Sequence, residues 1–331
     1  MLLFSLLASL TTTIVVAQTN PTWYGLIPSL ATQDAVDLII LDDNANVKST
    51  QGTVRLLAGA VASTDAFRCI ADFCLFSVKA QQASGEWVST IYRIKQADAS
   101  IEWTAPCPGL CEHMHVDYTS GDAYTLSLDS ASGSAWVVEV STPGAFTKVV
   151  DVTSSMGAGG KTLPGQTTHC SAFKHMYINA VSPSGGVIIS VDLVAQSVDK
   201  ITQIASNAPN FDSLWATCDG SGVIGGVSWT PGAGAASNST AQFGTLSNGG
   251  SYTLAKVIGV PAGLEPTGLL TATSPANYAD AFLAAAYPVG TPSNATNVKG
   301  YTWAVDPYGG GGDDFVAPIP FYLIGAAWTR E

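Results

Sequence analysis

The feature that most constrains this chain is a group of four short β-like segments that recurs along the sequence. Between His169 and Ile204, segments rich in Val, Ile and Tyr alternate with turns of Pro, Ser, Gly and Asp. Segments of this composition, separated by such turns, predict one four-stranded antiparallel meander. Four comparable units begin near Asp65, His113, Asp212 and Glu265. The sequence therefore predicts an all-β protein made of consecutive meanders.

The unit starts lie about 50 residues apart, and this period with four strands per unit is typical of β-propeller blades. Five units are complete, and three strands before Asp65 together with a lone strand from Phe321 would supply a sixth. The chain thus resembles a six-bladed β-propeller with four-stranded antiparallel blades. Its ring would close by pairing of the C-terminal strand with the N-terminal strands, which removes open sheet edges. A seventh blade, or two β-sandwiches, is the alternative architecture.

One stretch has helical propensity instead. The segment NYADAFLAAAY, residues 277–287, is rich in Ala, which favours helices. Because its position coincides with the second strand of the last complete unit, we predict a strand there, with context overriding propensity.

The N-terminal residues have the pattern of a secretory signal. Residues 1–17 are mostly apolar and end in small residues, which predicts cleavage before Gln18 and one propeller domain over 18–331. The segment lacks a basic start, so an uncleaved anchor is the alternative. No later run approaches the ~20 apolar residues needed to cross a bilayer. Two sequons, at Asn238 and Asn294, predict glycosylated loops and export through a eukaryotic secretory pathway.

The net charge disfavours two classes of binding partner. The net charge is -12 with 13 Lys and Arg residues, so the chain offers no basic surface for nucleic acid or anionic lipid. A charged fraction of 11% together with 33 Gly suits a turn-rich β protein. A monomer is expected, and a protein, a glycan or a small molecule stays open as the partner.

The cysteines predict disulfides. Six cysteines in an exported chain suggest three bonds, and proximity in the sequence favours Cys69–Cys74, Cys107–Cys111 and Cys170–Cys218 among fifteen connectivities. The run Cys107, Cys111, His113 and His115 also has the composition of a zinc site. In an oxidising compartment the two thiols are expected to bond to each other, which removes them as ligands.

Two enzyme motifs are missing. The segment SSMGAGGKT, residues 154–162, has Ser155 where a phosphate-binding loop needs Gly. No G-x-S-x-G nucleophile elbow occurs anywhere in the chain. The sequence therefore disfavours nucleotide hydrolysis and serine hydrolase chemistry of that type.

Titratable residues recur at the predicted start of each innermost strand. They are Asp65, His113, His169, Asp212 and Glu265. At one mouth of a propeller channel, carboxylates and imidazoles could hold one divalent cation, calcium or zinc. The alternative is that these side chains satisfy backbone groups where loops end. Calcium-dependent lactonases, which are six-bladed propellers, hold a metal at this mouth, and the resemblance implies metal-dependent hydrolysis, although this ring contains no Asn.

Tryptophans offer another possible binding surface. Six lie in or beside predicted strands, where they are expected to pack between blades: Trp87, Trp136, Trp215, Trp229, Trp303 and Trp328. Any that lie at loop edges could stack on sugars. The leading hypothesis is an extracellular binding or interaction module. A metal-dependent, lactonase-like hydrolase is the alternative, and a structural matrix or wall protein is a third.

Overall fold

The structure is a computed structural model. It describes residues 22–42, 46–62, 67–70, 72–117, 120–129, 131–142, 145–156, 161–162, 169–170, 175–182, 185–206, 208, 213–216, 224–230, 239–247, 250–271, 282–292, 294–305 and 315–329. Regular structure in this part of the chain consists of antiparallel strands and a 3-10 helix at Ser154–Met156.

The strands form six antiparallel sheets, which we number in chain order. Sheet 1 contains β1 (Thr22–Pro28), β2 (Ala35–Leu41) and β3 (Val47–Arg55). Sheet 2 contains β4 (Val61–Ala62), β5 (Arg68–Ile70), β6 (Phe73–Gln81), β7 (Trp87–Lys95) and β8 (Ile101–Pro106). Sheet 3 contains β9 (Leu110–Val116), β10 (Ala123–Asp129), β11 (Ser134–Thr142) and β12 (Ala145–Asp151).

The other sheets repeat this arrangement. Sheet 4 contains β13 (Lys161–Thr162), β14 (His169–Cys170), β15 (His175–Ser182), β16 (Gly185–Asp192) and β17 (Ser197–Gln203). Sheet 5 contains β18 (Ser213–Ala216), β19 (Ile224–Thr230), β20 (Ser239–Leu246) and β21 (Tyr252–Val260). Sheet 6 contains β22 (Leu264–Thr271), β23 (Phe282–Pro288), β24 (Gly300–Val305) and β25 (Phe315–Ile319). The last strand, β26 (Gly325–Thr329), belongs to sheet 1.

Sheet 1 joins the two ends of the chain. Its strand order is β26-β1-β2-β3, so the C-terminal strand takes the edge position that β22 occupies in sheet 6. Trp23 lies opposite Trp328, and Leu26 lies opposite Gly325. The pairing expected between the C-terminal and N-terminal strands is therefore present.

In sheets 2, 3 and 4 the first strand begins several residues earlier than the sequence suggested. β9 begins at Leu110, and β13 begins at Lys161. In sheet 2 both β4 and β5 pair with β6, and in sheet 4 both β13 and β14 pair with β15. Two short segments therefore share the place of one first strand in each of these sheets, and neither segment has the length of a typical strand.

The largest hydrophobic cluster lies where sheets 1, 2 and 6 meet. Leu26, Phe67 and Leu323 are fully buried there. Tyr287 of sheet 6 stacks on Tyr322 with ring centroids 4.3 Å apart, and the Leu323 amide donates a hydrogen bond of 2.6 Å to the Tyr287 hydroxyl. Burying one side chain of this size stabilises the fold by about 1.5–3 kcal/mol, so the residues just before β26 anchor the end of the chain.

Polar contacts also join adjacent sheets. The Ser77 hydroxyl on β6 donates to the carbonyl of Cys111 on β9 at 3.1 Å. The Cys111 amide donates to the Ser89 hydroxyl on β7, also at 3.1 Å. Both serines are buried, and a buried hydroxyl without a partner would destabilise the fold. These contacts therefore fix β9 against sheet 2.

The local disulfides and the strand assigned to an Ala-rich stretch are confirmed. Cys69 is bonded to Cys74, and Cys107 is bonded to Cys111, so the latter two thiols are not available to zinc. The side chain of Cys170 and the whole of Cys218 lie outside the described residues. Residues 282–287 form most of β23, the second strand of sheet 6, as context predicted, whereas residues 277–281 of the same stretch lie outside the described residues. No helix in the described ranges is long and apolar enough to span a membrane.

Candidate functional site

A cleft of about 490 Å³ opens beside sheet 1. Three connections surround it: the β1–β2 loop at residues 29–34, the β3–β4 connection at residues 56–60, and the β23–β24 loop at residues 289–299. The lining residues are Pro28, Ser29, Leu30, Ala31, Thr32, Gln33, Asp34, Ala35, Val36, Leu56, Ala60, Val61, Ala62, Asn294, Thr296 and Ile324. Loops from two different sheets therefore form one concave surface.

Asp34 ties two of these connections together. Its backbone has a φ of 52°, a left-handed conformation that Asp adopts more readily than most residues. This conformation lets its carbonyl accept a 2.7 Å bond from the Leu56 amide while its carboxylate accepts a 3.2 Å bond from the Gly59 amide. The Ser29 amide closes the β1–β2 loop by donating to the Ala35 carbonyl at 2.9 Å. The cleft is thus held by hydrogen bonds within the chain.

The floor of the cleft is apolar. Val36, Ala60 and Ala62 are buried members of the main hydrophobic cluster. Ile324 is also buried, and its amide donates a 2.8 Å hydrogen bond to the Leu26 carbonyl. Three small or β-branched side chains and one Ile leave room above the floor and present no donor or acceptor there.

Exposed apolar side chains occur in the connections around the cleft, and Leu30 among them also lines it. Leu30 in the first loop is 67% exposed, and Leu57 in the second connection is 60% exposed. Val289 at the start of the third loop is 70% exposed. Exposed apolar residues gathered around a concavity are typical of binding surfaces, whereas singly scattered ones are ordinary. The same three connections that form the cleft also carry these side chains.

The cleft carries little charge. Asp34 is the one charged side chain among its described lining residues, which include neither His nor Cys nor Lys. The Asp34 carboxylate already accepts the Gly59 amide. General acid–base chemistry needs a titratable group that is positioned on a substrate atom, and nucleophilic chemistry needs an activated nucleophile. Among its described lining residues, the cleft therefore offers no second charged side chain beside Asp34.

Comparisons with known proteins identify the architecture. No protein-family model and no curated protein sequence matches the chain. Among solved structures, putative TolB from Agrobacterium tumefaciens is 13% identical over 92% of this chain and 92% of its own, with a TM-score of 0.50. TolB from Acinetobacter baumannii is 10% identical over 94% and 67%, at 0.49. The β-propeller domain of the Trilobed protease from Pyrococcus furiosus is 7% identical over 78% and 71%, at 0.41. The chain has a β-propeller fold. At this level of identity the likeness concerns the fold alone.

Only part of the metal ring expected at the propeller mouth can be located. Asp65 and Asp212 lie outside the described residues, as do the side chains of His113, His169 and Glu265. The described residues contain no group of three or more His, Cys, Asp or Glu that could hold a metal ion.

Backbone register places the remaining three residues in different sheets of the propeller. His113 is the fourth residue of β9, and His169 is the first residue of β14. Glu265 is the second residue of β22, opposite Tyr287 near the end of β23, whereas His169 lies opposite Met176 near the start of β15. The cation site stays a prediction.

Three titratable residues on adjacent strands form a row across sheet 3 of the propeller. Tyr124 on β10 lies between His115 on β9 and Glu139 on β11 in the strand register. His115 is fully buried, and its ring packs against that of Tyr124 with centroids 5.7 Å apart. Burial, with smaller contributions from the negative charges of Glu139, Asp122 and Asp117, raises the pKa of Tyr124 to about 12.

The raised pKa of Tyr124 predicts that the free energy of unfolding falls at alkaline pH. A tyrosine in the unfolded chain titrates near 10.0, so between pH 10.0 and about 12 the unfolded state loses this proton while the folded state keeps it. The stabilisation is complete below that window and is lost as the pH rises through it. We expect Tyr124→Phe to reduce the slope of unfolding free energy against pH there, measured by urea titration. An unchanged slope would contradict this assignment.

Of the remaining predicted residues, some lie in the part of the chain that the structure describes and others do not. Asn294 is exposed in the β23–β24 loop and lines the cleft, whereas Asn238 lies outside the described residues just before β20. Trp87 is 45% exposed at the start of β7, and the Lys148 ammonium lies 4.6 Å from the ring centroid of Trp136. The side chains of Trp215, Trp229, Trp303 and Trp328 are outside the described part.

Sequence reasoning missed the cleft itself. Its residues come from both ends of the chain, and their types, mainly Ala, Val, Leu, Ser and Thr, do not stand out in a β-rich sequence. One signal was available. The apolar residues Leu30 and Leu57 lie in the connections that follow β1 and β3, where polar residues are usual.

Proposed function

We propose that this chain is a secreted glycoprotein that binds a small, largely apolar ligand in the cleft beside sheet 1. In this proposal the six sheets are six blades, and the β26–β1 pair closes the ring. One observation carries the proposal. A cleft of about 490 Å³ is lined by buried apolar side chains together with hydroxyl, amide and carboxylate groups, and its volume is typical of small-molecule sites.

The charge of the lining indicates the chemistry of the ligand. Asp34 is negative, and the chain as a whole carries a net charge of -12, so an anion would be repelled. Ser29, Thr32, Gln33 and Thr296 supply hydroxyl and amide groups at the wall, where they can orient a neutral polar group. We therefore propose a neutral or cationic ligand with a substantial apolar part.

Export is supported by independent features of the chain. Two disulfides favour an oxidising compartment. The apolar residues 1–17 and the sequons at Asn238 and Asn294 fit a secretory route. The charged fraction is only 11%. Binding a neutral ligand outside the cell needs no basic patch, so this composition is compatible with the proposed role.

Filling the cleft tests the proposal. Ala31 is exposed and lines the cleft, so Ala31→Trp places an indole in the space without disturbing the core. We expect the secreted protein to bind Nile red saturably, measured by fluorescence titration. The substitution should weaken that binding by about tenfold or more, which corresponds to about 1.4 kcal/mol.

A matched control separates occlusion from general effects of a new indole. Ala195 is equally exposed but lies in the β16–β17 turn of sheet 4, outside the cleft. Ala195→Trp should bind Nile red as the parent does, and both variants should melt at the parent temperature. Equal dye affinity for parent and Ala31→Trp would refute the cleft as the binding site.

A further inference from the structure

The Asn294 sequon coincides with the cleft. Asn294 and Thr296, the first and third residues of this sequon, both line the cleft, and Asn294 is exposed. An N-linked glycan grows from the Asn amide nitrogen, so its first sugars must start at the wall of the cleft. This placement differs from that of an ordinary surface glycan, which leaves any neighbouring pocket open.

We propose that the N-glycan on Asn294 caps the cleft and controls which ligands enter it. The inference rests on the proposed binding function and adds regulation to that site. A glycan core is bulky compared with a cavity of about 490 Å³. Its attachment at a lining residue brings the first sugars within reach of the opening.

Exposed apolar side chains near Asn294 give the sugars a surface to cover, and one of them, Leu30, lines the cleft. Leu30, which also lines the cleft, is 67% exposed, and Val289, five residues before Asn294 in the same loop, is 70% exposed. Leaving large apolar side chains in water is unfavourable, and covering them removes that cost. The apolar faces of the first sugar rings can pack on these side chains. Packing on Leu30, which lines the cleft, favours a position of the sugars that narrows the opening.

The loop that carries the glycan is itself restrained. The Val289 amide donates a 3.1 Å hydrogen bond to the Gly263 carbonyl, and the Thr291 amide donates a 3.0 Å bond to the Pro288 carbonyl. The Ala295 amide, within the sequon, donates a 3.0 Å bond to the Pro292 carbonyl. A restrained attachment point keeps the sugars near the cleft, where a mobile tether would spread them over the surface.

Removing this one glycan tests the cap. The full secreted chain is purified with its glycans, and mass spectrometry of its glycopeptides should find a glycan on Asn294. Asn294→Gln keeps a side-chain amide but abolishes the acceptor. We expect Asn294→Gln to bind Nile red about tenfold tighter than the glycosylated parent, because the dye no longer competes with the sugars.

Two controls assign the effect to the sugars. Asn238→Gln removes the other sequon and should leave dye affinity unchanged. Parent protein trimmed by endoglycosidase to a single sugar on each Asn should have an affinity between those of the parent and Asn294→Gln. If trimming changes nothing while Asn294→Gln tightens binding, sugars beyond the first do not contribute, and unglycosylated parent protein is then compared. Equal dye affinity of unglycosylated and glycosylated parent would show that the side chain is responsible and would refute the cap.

Other outcomes distinguish this inference from the function on which it rests. Equal Nile red affinity in parent and Asn294→Gln would overturn the cap and leave the binding cleft intact. An unmodified Asn294 in the secreted protein would also overturn the cap alone. Failure of every form, Asn294→Gln included, to bind Nile red would overturn the proposed cleft and the cap together.

Discussion

A chain that lacks Phe321–Glu331 is expected to be absent from the culture medium and to aggregate inside the cell. The deletion removes β26, and β1 then exposes a row of unpaired backbone groups that can pair with another chain. It also removes Phe321, Tyr322, Leu323 and Ile324, all of which are buried. At about 1.5–3 kcal/mol for each buried side chain, this loss is comparable to the whole stability of a typical domain.

A shorter deletion provides the control. Removing Arg330 and Glu331 alone leaves every residue of β26 in place, and this variant should be secreted at the parent level. The measurement is the amount of protein in medium and in cell lysate, followed by the melting temperature of whatever is secreted. Secretion of the longer deletion with the parent melting temperature would disprove both the role of β26 and the proposed closed ring.

Gly250→Ala is expected to destabilise the protein by about 3 kcal/mol or more, because both conformation and space exclude a side chain there. Gly250 has a φ of 80°, which L side chains rarely adopt. A Cβ atom at this position would lie 2.1 Å from the carbonyl oxygen of Gln203 in the neighbouring sheet. That oxygen belongs to backbone at the end of β17, so the two sheets would have to separate.

A variant at Gly290 distinguishes the effect of backbone conformation from the effect of limited space. Its φ is 79°, nearly the same as that of Gly250, but a Cβ there would meet nothing within 4 Å. Gly290→Ala should therefore cost only the conformational part, about 1 kcal/mol. Urea denaturation of both variants measures the difference. Similar midpoints for the two would mean that the contact with Gln203 does not limit how closely sheets 4 and 5 approach.

Local patterns predicted the repeating unit well. The alternation of β-rich segments with turns depends on residues that are close in sequence, and hairpins form between such neighbours. Cys69 lies opposite Cys74 in the register of β5 and β6, so proximity in the sequence was enough to predict that disulfide. The strand Phe282–Pro288 was predicted because its place in the repeat outweighed its Ala content.

The residues at which the first strands begin were predicted less accurately. β9 begins at Leu110, within the loop that the Cys107–Cys111 disulfide encloses. The sequence pattern instead predicts a start at the titratable residue His113. Where a first strand begins depends on which residues of the second strand it pairs with, and Leu110 lies opposite Leu128. That register is a tertiary choice that turn residues alone do not specify.

By itself, the sequence determined that this protein is built of consecutive antiparallel meanders with short-range disulfides, because both depend on neighbours along the chain. Tertiary structure alone decided where the cleft beside sheet 1 forms. The cleft brings residues 28–36 and 56–62 together with Asn294, Thr296 and Ile324. These residues meet because β26 pairs with β1 and places sheets 6 and 1 side by side. Apolar burial between sheets drives that approach, and burial is non-directional, so no local pattern could specify it.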